Sequence, residues 1–134
     1  MRNKTPELLA PAGSLESLRA AVNAGADAIY VGGAKYGARA YAENPEEEDL
    51  IAGLRYAHRF GVRVHLTVNT LLKEAELQAL PEYMAPYYEA GLDAAIVQDL
   101  GALAVLHRHY PLLSLHASTQ MTTHNLEGVL LLEE

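Results

Sequence analysis

The chain has 134 residues, half of them hydrophobic, and a formal net charge of −7 from 17 acidic and 10 basic side chains. This composition excludes a disordered or low-complexity chain, and the lack of Cys excludes a disulfide framework, a thiolate zinc site and an iron–sulfur cluster held by this chain alone. Because the charge is acidic and no apolar run is long enough for a signal peptide or a membrane span, we expect a soluble cytoplasmic protein without non-specific nucleic-acid binding or membrane contact.

Short apolar runs alternate with helical patterns from one end of the chain to the other. Each run is bounded by Gly, Pro, Asn or Asp, as strands usually are. The segments between the runs carry apolar residues at three- and four-residue spacing, which is typical of amphipathic helices. The pattern predicts five strands, at residues 7–12, 28–33, 62–69, 94–99 and 112–117.

The first two predicted helices have clear start signals. Ser14 is a good N-cap for the first helix, and Gly25 ends it. The second helix is predicted to start with Asn44 as its cap and Pro45 as its first helical residue. The acidic run at residues 46–48 is interpreted as helix-start chemistry favoured by the helix dipole, and not as a metal site.

Three more helical stretches follow. Pro81 and Pro86 fall inside the third, and because proline breaks or kinks a helix, we expect a short turn followed by a helix from near Pro81. The tyrosines of this stretch, at positions 83, 87 and 88, are interpreted as packing residues. The fourth helix is predicted at residues 100–109, and the fifth begins after Thr123 and continues to the last residue.

Five βα units in a row predict a parallel sheet wrapped by helices. The related stretches AGADAIYV and AGLDAAIV, at residues 24–31 and 90–97, lie two such units apart. An open doubly wound sheet and a (β/α)8 TIM-type barrel both fit. The absence of a Gly-rich dinucleotide fingerprint and of a long crossover favours the barrel. Since a complete barrel needs roughly 250 residues, residues 1–134 are interpreted as the truncated N-terminal part of one barrel domain.

The third predicted strand separates an apolar face from a polar one. In a barrel the outer face packs on helices and the inner face lines the interior. An unpaired buried polar group costs roughly 1–3 kcal/mol, so the inner polar residues either pair with one another or line a ligand pocket. Two interpretations therefore stay open for Glu7, Arg63 and His65: a satisfied ionic core, or part of a pocket.

Polar and glycine residues cluster where the predicted strands end, which is the edge at which barrel active sites form. As catalytic candidates we take His116, Asp99 and Ser118. They would form a general base with its orienting carboxylate, a metal half-site or a hydrolase triad, although a structural hydrogen bond explains His116 and Asp99 equally well. His116 and Ser118 lie some 7 Å apart along one strand, which is far for a direct hydrogen bond. We assign no metal ligand set.

The substrate-binding candidates are Gly32, Gly33, Asn69, Thr70, Gln98, Thr119 and Gln120.

The loop at residues 36–44 would cover the mouth of such a barrel. Arg39 is the residue in it that we assign to an anionic substrate group. Its alternative role is an ion pair with the acidic run at residues 46–48.

Several short motifs occur together and in order along essentially the whole chain: ELLAPAGSLE at 7–16, YVGG at 30–33 with YGARA at 36–40, TVNT at 67–70, IVQD at 96–99, and HASTQM at 116–121 with HN at 124–125. As a set they resemble the N-terminal part of the collagenase-like peptidases, peptidase family 32 of unknown catalytic type. The resemblance implies either proteolysis or oxygen-independent hydroxylation of bases in ribosomal or transfer RNA, or of a quinone precursor. If the protein is one of the hydroxylases, the resemblance implies that prephenate donates the hydroxyl group and that downstream cysteines hold an iron–sulfur cluster. This chain has no counterpart of those cysteines.

We therefore expect the N-terminal barrel fragment of a peptidase of this family, which contributes part of the active-site mouth and is inactive alone. The full-length protein would be an enzyme acting on a peptide or an RNA, with an iron–sulfur cluster in the hydroxylase case and no cofactor in this segment. The alternatives are part of an RNA-base hydroxylase, a non-catalytic module that self-associates through its open sheet edges, and a phosphate-binding barrel enzyme of central metabolism.

Overall fold

A computed structural model describes residues 5–38 and 44–133 of the chain. Strands and helices alternate throughout: β1 (Leu9–Ala12), α1 (Leu15–Asn23), β2 (Ala28–Gly32), α2 (Glu47–Arg59), β3 (Arg63–Val68), α3 (Glu74–Glu89), β4 (Ala94–Val97), α4 (Leu100–His109), β5 (Ser114–Ala117) and α5 (Leu126–Glu133). A 3-10 turn, Thr119–Met121, lies between β5 and α5. None of the helices in these two ranges combines the length and the apolar character needed to cross a bilayer.

The five strands are parallel and lie side by side in the order of the sequence. In a doubly wound sheet the strand order reverses at a switch point, and here it does not. The fold is therefore the predicted partial TIM-type barrel. The register places Tyr30, His65, Ala94 and Ser114 in one row across β2 to β5, and Gly32, Thr67, Ile96 and His116 in the row nearer the carboxyl ends of the strands.

The hydrophobic core lies between the sheet and the helices that cover its outer face. Val64, Leu66 and Val68 of β3 are all buried there, as the alternation of this strand predicts. Helices α1 to α4 contribute buried apolar residues to the core, whereas α5 has none. These residues include Leu18 of α1, Leu54 of α2, Leu80, Met84 and Tyr87 of α3, and Leu106 of α4. The alternation of β5 is not matched by burial, since Leu115 is half-buried and Ala117 is exposed on this edge strand.

Two predicted helix boundaries are wrong. The second helix begins two residues later than predicted: its N-cap is Glu46, which makes no side-chain capping bond, and the acidic residues fill its first turn. The third helix is continuous and contains both Pro81 and Pro86. Proline removes one helical hydrogen bond, but side chains on both sides of the prolines are buried in the core. Tertiary packing therefore outweighs the local preference.

The repeated stretches have the same structure. Gly25 and Gly91 end their helices with φ of +90° and +93°. In each copy the following aspartate accepts a backbone hydrogen bond from the preceding strand segment: Asp27 from Leu8 at 2.7 Å and Asp93 from Val64 at 2.7 Å. The aspartate thus ties the entering strand to its neighbour, which explains why the pattern repeats.

Replacing Gly91 with alanine is expected to lower the free energy of unfolding by about 1–2 kcal/mol, because an L side chain is strained at this φ. A Cβ at Gly91 meets only His58, at an ordinary 3.6 Å, so the cost is that of the backbone alone. Urea unfolding measures the change. Gly13→Ala is the matched control, since a Cβ there meets nothing within 4 Å and φ is not positive. Equal stability of the two variants would contradict the prediction.

Candidate active site

A cleft lies at the carboxyl edge of the sheet, between the start of α4 and the segment that joins β5 to α5. Its volume is about 570 Å³. A second cleft of about 560 Å³ opens on Ser118, Thr119 and Thr123 and shares Thr123 and Leu132 with the first. Active sites of barrels form at this edge. The polar lining of the first cleft comes from Gln98, Asp99, Gln120, Thr122, Thr123, His124 and Asn125, and its apolar walls include Leu71, Met121 and Leu132.

Asp99 connects two segments at the cleft. One carboxylate oxygen accepts the backbone N–H of Ala102 at 3.0 Å and so caps α4, and the other accepts that of Leu72 at 3.2 Å. A Cβ on Gly101 would lie 2.9 Å from the capping oxygen, so this position needs glycine. The carboxylate therefore holds the β3–α3 loop against the start of α4.

The segment after β5 is held by short local bonds. Ser118 is buried, and its hydroxyl accepts the backbone N–H of Gln120 at 3.3 Å. The Gln98 amide donates to the Gln120 carbonyl at 3.4 Å. Thr122 has φ of +60°, a conformation that is an outlier for a β-branched residue and costs of order 1–3 kcal/mol. Strain of this kind gathers at functional sites. Sequence reasoning missed Thr122, because residue type carries no signal for backbone strain.

His116 is exposed, and its ring packs edge-on against that of His65, with the centroids 4.8 Å apart and the planes at 86°. His65 is only 3% exposed. Its Nδ1 atom is buried and has no hydrogen-bond partner among the described residues. The ion pair of Glu7 with Arg63 forms, but both side chains are exposed, so it is a surface pair and not the ionic core of the first interpretation. His65 is not a satisfied member of it, since its Nδ1 atom has no partner among the described residues.

The three catalytic candidates occupy one edge without forming a triad. Asp99 bonds to backbone amides, Ser118 caps the 3-10 turn, and the ring of His116 contacts His65. Within residues 5–38 and 44–133 no hydrogen bond joins any two of Asp99, His116 and Ser118. Their catalytic roles stay a prediction.

Asn69 and Thr70 fix the loop that follows β2. The Asn69 side-chain oxygen accepts the backbone N–H of Ala38 at 2.9 Å, and the Thr70 hydroxyl donates to the Tyr36 carbonyl at 3.1 Å. Tyr36 itself has φ of +63°. These contacts position the loop at the mouth, where a substrate role for both residues stays a prediction. Arg39 lies outside the described residues.

Gly33 makes room for a tyrosine cluster beside that loop. A Cβ on Gly33 would overlap the hydroxyl oxygen of Tyr83. The Tyr83 ring packs edge-on against those of Tyr36 and Tyr87, and its hydroxyl donates to the Lys35 carbonyl at 3.3 Å. Burial is the main cause that raises the pKa of Tyr83 above its ordinary value. The packing role predicted for Tyr83 and Tyr87 is confirmed. Gly32 is also tight, though less so, since a Cβ there would lie 2.9 Å from the side-chain oxygen of Asn44.

The described residues do not fit the cluster that the resemblance implies. Thiolates hold iron–sulfur clusters, and the sequence has no cysteine. In the part of the chain that the structure describes, no group of three or more His, Cys, Asp or Glu residues is placed to hold a metal ion.

Stability is expected to fall on acidification because of His65. Burial, followed by the charge on His116, lowers the pKa of His65; Arg63 lowers it further, and the carboxylates of Glu7 and Asp93 offset part of the shift by raising it. The unfolded chain binds a proton on this ring near pH 6.5, whereas the folded protein does so only at lower pH. The unfolded state therefore binds more protons below about pH 6.5, and the stability present above that pH is lost as pH falls.

The prediction is checked by urea unfolding between about pH 7.5 and about pH 5 in the presence of a chelator. His65→Phe should flatten the acid-side loss, and His107→Gln, which removes an exposed imidazole from α4, should not. If the free energy of unfolding depends on pH in the same way in the wild type and in His65→Phe, the prediction is wrong.

The sequence of this chain is similar to those of several known proteins. The profile of peptidase family U32 matches residues 13–134. The chain is 36% identical over 126 residues to tRNA hydroxylation protein P1 of Bacillus subtilis, covering 94% of this chain and 30% of that protein. It is 40% identical over 121 residues to the 23S rRNA 5-hydroxycytidine C2501 synthase of Escherichia coli, covering 90% and 18%.

A relative of a different description also matches the chain. The chain is 34% identical over 125 residues to a collagenase of Porphyromonas gingivalis, covering 92% of this chain and 30% of that protein. The chain thus spans less than a third of the length of these three curated relatives.

Proposed function

Since the chain belongs to peptidase family U32, we propose that it forms part of the substrate-binding mouth of an enzyme that hydroxylates a base of tRNA or rRNA. The observation that carries the proposal is the similarity, over 90% or more of this chain, to relatives named for tRNA hydroxylation and for synthesis of 5-hydroxycytidine in 23S rRNA. The cleft at the carboxyl edge of the sheet is the part of the chain that would meet the substrate.

The geometry supports this reaction better than acyl transfer. A serine nucleophile needs a base within hydrogen-bond reach and a third group that orients the base. Here the Ser118 hydroxyl and both Asp99 oxygens are engaged by backbone amides. The rest of the polar lining includes the amide side chains of Gln98, Gln120 and Asn125 between apolar walls. Gln98 and Asn125 each make one backbone hydrogen bond and keep their other amide group, and side chains of this kind suit recognition of a planar polar base.

The role that we assign to this chain is binding and orientation. Base hydroxylation turns a ring C–H into C–OH, and an organic hydroxyl donor that takes up the hydrogen in exchange balances atoms and electrons. Gln98 and Gln120 would hold the edge of the base, and Asp99 keeps the two walls of the cleft in place through Leu72 and Ala102.

The test is mass spectrometry of nucleosides from tRNA and rRNA of the source organism, with and without the gene. We expect one hydroxylated pyrimidine nucleoside to disappear on deletion and to return with the wild-type gene. Complementation with Gln120→Ala should restore less of it than complementation with Glu82→Ala, a change at an exposed position on α3. Unchanged nucleosides in the deletion strain would overturn the proposal.

Proteolysis is the second candidate, because relatives are named collagenase and uncharacterized protease and because His116 and Ser118 lie close in sequence at the carboxyl edge. If this candidate holds, the protein cleaves gelatin or casein, and His116→Ala abolishes the cleavage. If gelatin and casein stay intact and the nucleoside is lost on deletion, proteolysis is excluded and base hydroxylation remains the proposed reaction.

We also propose that the chain self-associates through its sheet edges. β1 and β5 lie at the two ends of the five-stranded order, and neither has a neighbouring strand on its outer side within the described residues. Unpaired edges recruit further strands. Light scattering over a wide concentration range tests the idea, and a monomer throughout that range would refute it.

A further inference from the structure

We propose that His65 and His116 form a two-histidine site for a divalent transition-metal ion, with Zn²⁺ as the reference ion, on the inner face of the sheet. The site would lie beside the cleft and does not depend on which reaction the protein performs.

The strand register brings the two rings together. His65 lies on β3 and His116 on β5, so β4 runs between them. Strands two apart are separated by about 10 Å, and both side chains must cover part of that gap. The β4 residue beside His65 in the register is Ala94, whose small side chain leaves room for the two imidazoles to meet above it.

One potential ligand atom has no partner among the residues that the structure describes. His65 is 3% exposed, and its buried Nδ1 atom makes no hydrogen bond to any residue of 5–38 and 44–133. A buried polar atom in this state calls for an explanation such as a missing ion. A neutral imidazole nitrogen is among the commonest metal ligands in proteins.

The separation of the rings suits a shared ion. With Zn–N bonds of about 2.0–2.1 Å and a bond angle near the tetrahedral value, two imidazoles on one ion have centroids about 5 Å apart. The observed separation is 4.8 Å, with the ring planes at 86°. To bind one ion, the rings would turn out of this edge-to-face arrangement until one nitrogen of each points at the same position, and the exposed ring of His116 is the one with room to turn.

The remaining coordination positions would be taken by water. Among the described residues there is no group of three or more metal-ligating side chains, so two histidines are what this part of the chain offers. His116 is exposed, which gives the ion a path from solvent. An ion held by two residues and water keeps open positions, as catalytic ions do.

The test is titration of the protein with Zn²⁺, followed by calorimetry and by NMR of the histidine ring protons. We expect one equivalent to bind more tightly than the rest and to shift the ring signals of His65 and His116 together. His65→Phe and His116→Phe should each weaken this binding at least tenfold, since Phe keeps the edge-to-face contact and removes the nitrogens. His107→Phe, at an exposed position on α4, is the matched control.

Circular dichroism of each variant confirms that it folds, and His116→Phe, at an exposed position, serves as the decisive variant if His65→Phe does not fold. Zn²⁺ binding of equal strength in the wild type and in His116→Phe would overturn the proposal. So would the absence of a shift in the His65 ring signals, because the two rings would then form an edge-to-face contact only.

Discussion

Replacing Gly33 with alanine is expected to destabilise the protein by about 3 kcal/mol, the upper part of the range for overpacking. The added Cβ would occupy the position of the Tyr83 hydroxyl oxygen. That ring cannot move aside easily, because it is packed edge-on against Tyr36 and Tyr87. Urea unfolding measures the loss, and a shift in the tyrosine near-ultraviolet signal reports the displaced ring.

The cause can be isolated with a double variant. Tyr83→Phe removes the overlapping oxygen and costs its hydrogen bonds with the Lys35 carbonyl and the Tyr87 hydroxyl, about 1 kcal/mol each. After that change the nearest remaining ring atom lies 3.5 Å from the added Cβ, which is ordinary contact. We therefore expect Gly33→Ala to be much less harmful in the Tyr83→Phe background. Strictly additive effects would show that the overlap is not the cause.

Replacing Asp99 with alanine is expected to cost about 3 kcal/mol and to loosen the cleft. One oxygen caps α4 through Ala102, a contact worth about 0.5–2 kcal/mol, and loss of the other leaves the Leu72 amide without its partner, at about 1–3 kcal/mol. Hydrogen exchange should speed up most at the amides of these two residues. Any activity of the protein should also fall, because the β3–α3 loop and the start of α4 line or adjoin the cleft.

The variant Asp99→Asn tests whether the size of the side chain or its hydrogen bonds hold the two segments together. Asp99→Asn keeps one acceptor oxygen and places an N–H group where the second acceptor was. We expect it to retain protection at one of the two amides and to lose it at the other. Glu82→Ala, which changes an exposed carboxylate on α3, should leave exchange at both amides unchanged. Equal protection at Leu72 in the wild type and in Asp99→Ala would refute the assignment.

The sequence by itself determined the order and type of the elements. Period-two and period-3.6 patterns act over a few residues, so all five strands, the barrel topology and the bounds of α4 (Leu100–His109) could be predicted. Ser14 caps α1 as expected. The same local rules failed at α3, where the rules for proline predict a break. The buried side chains around Pro81 and Pro86 hold the helix together instead.

The candidate site was predictable in place but not in its contacts. Strand ends indicated the edge at which Gln98, Asp99 and Gln120 line a cleft, because chain order alone fixes where parallel strands end. Only the tertiary structure decided that Asp99 bonds to backbone amides, that Thr122 is strained and that His65 meets His116 across β4. Such pairings depend on strand register and on which atoms are buried together, and both are set by packing between residues far apart in the chain.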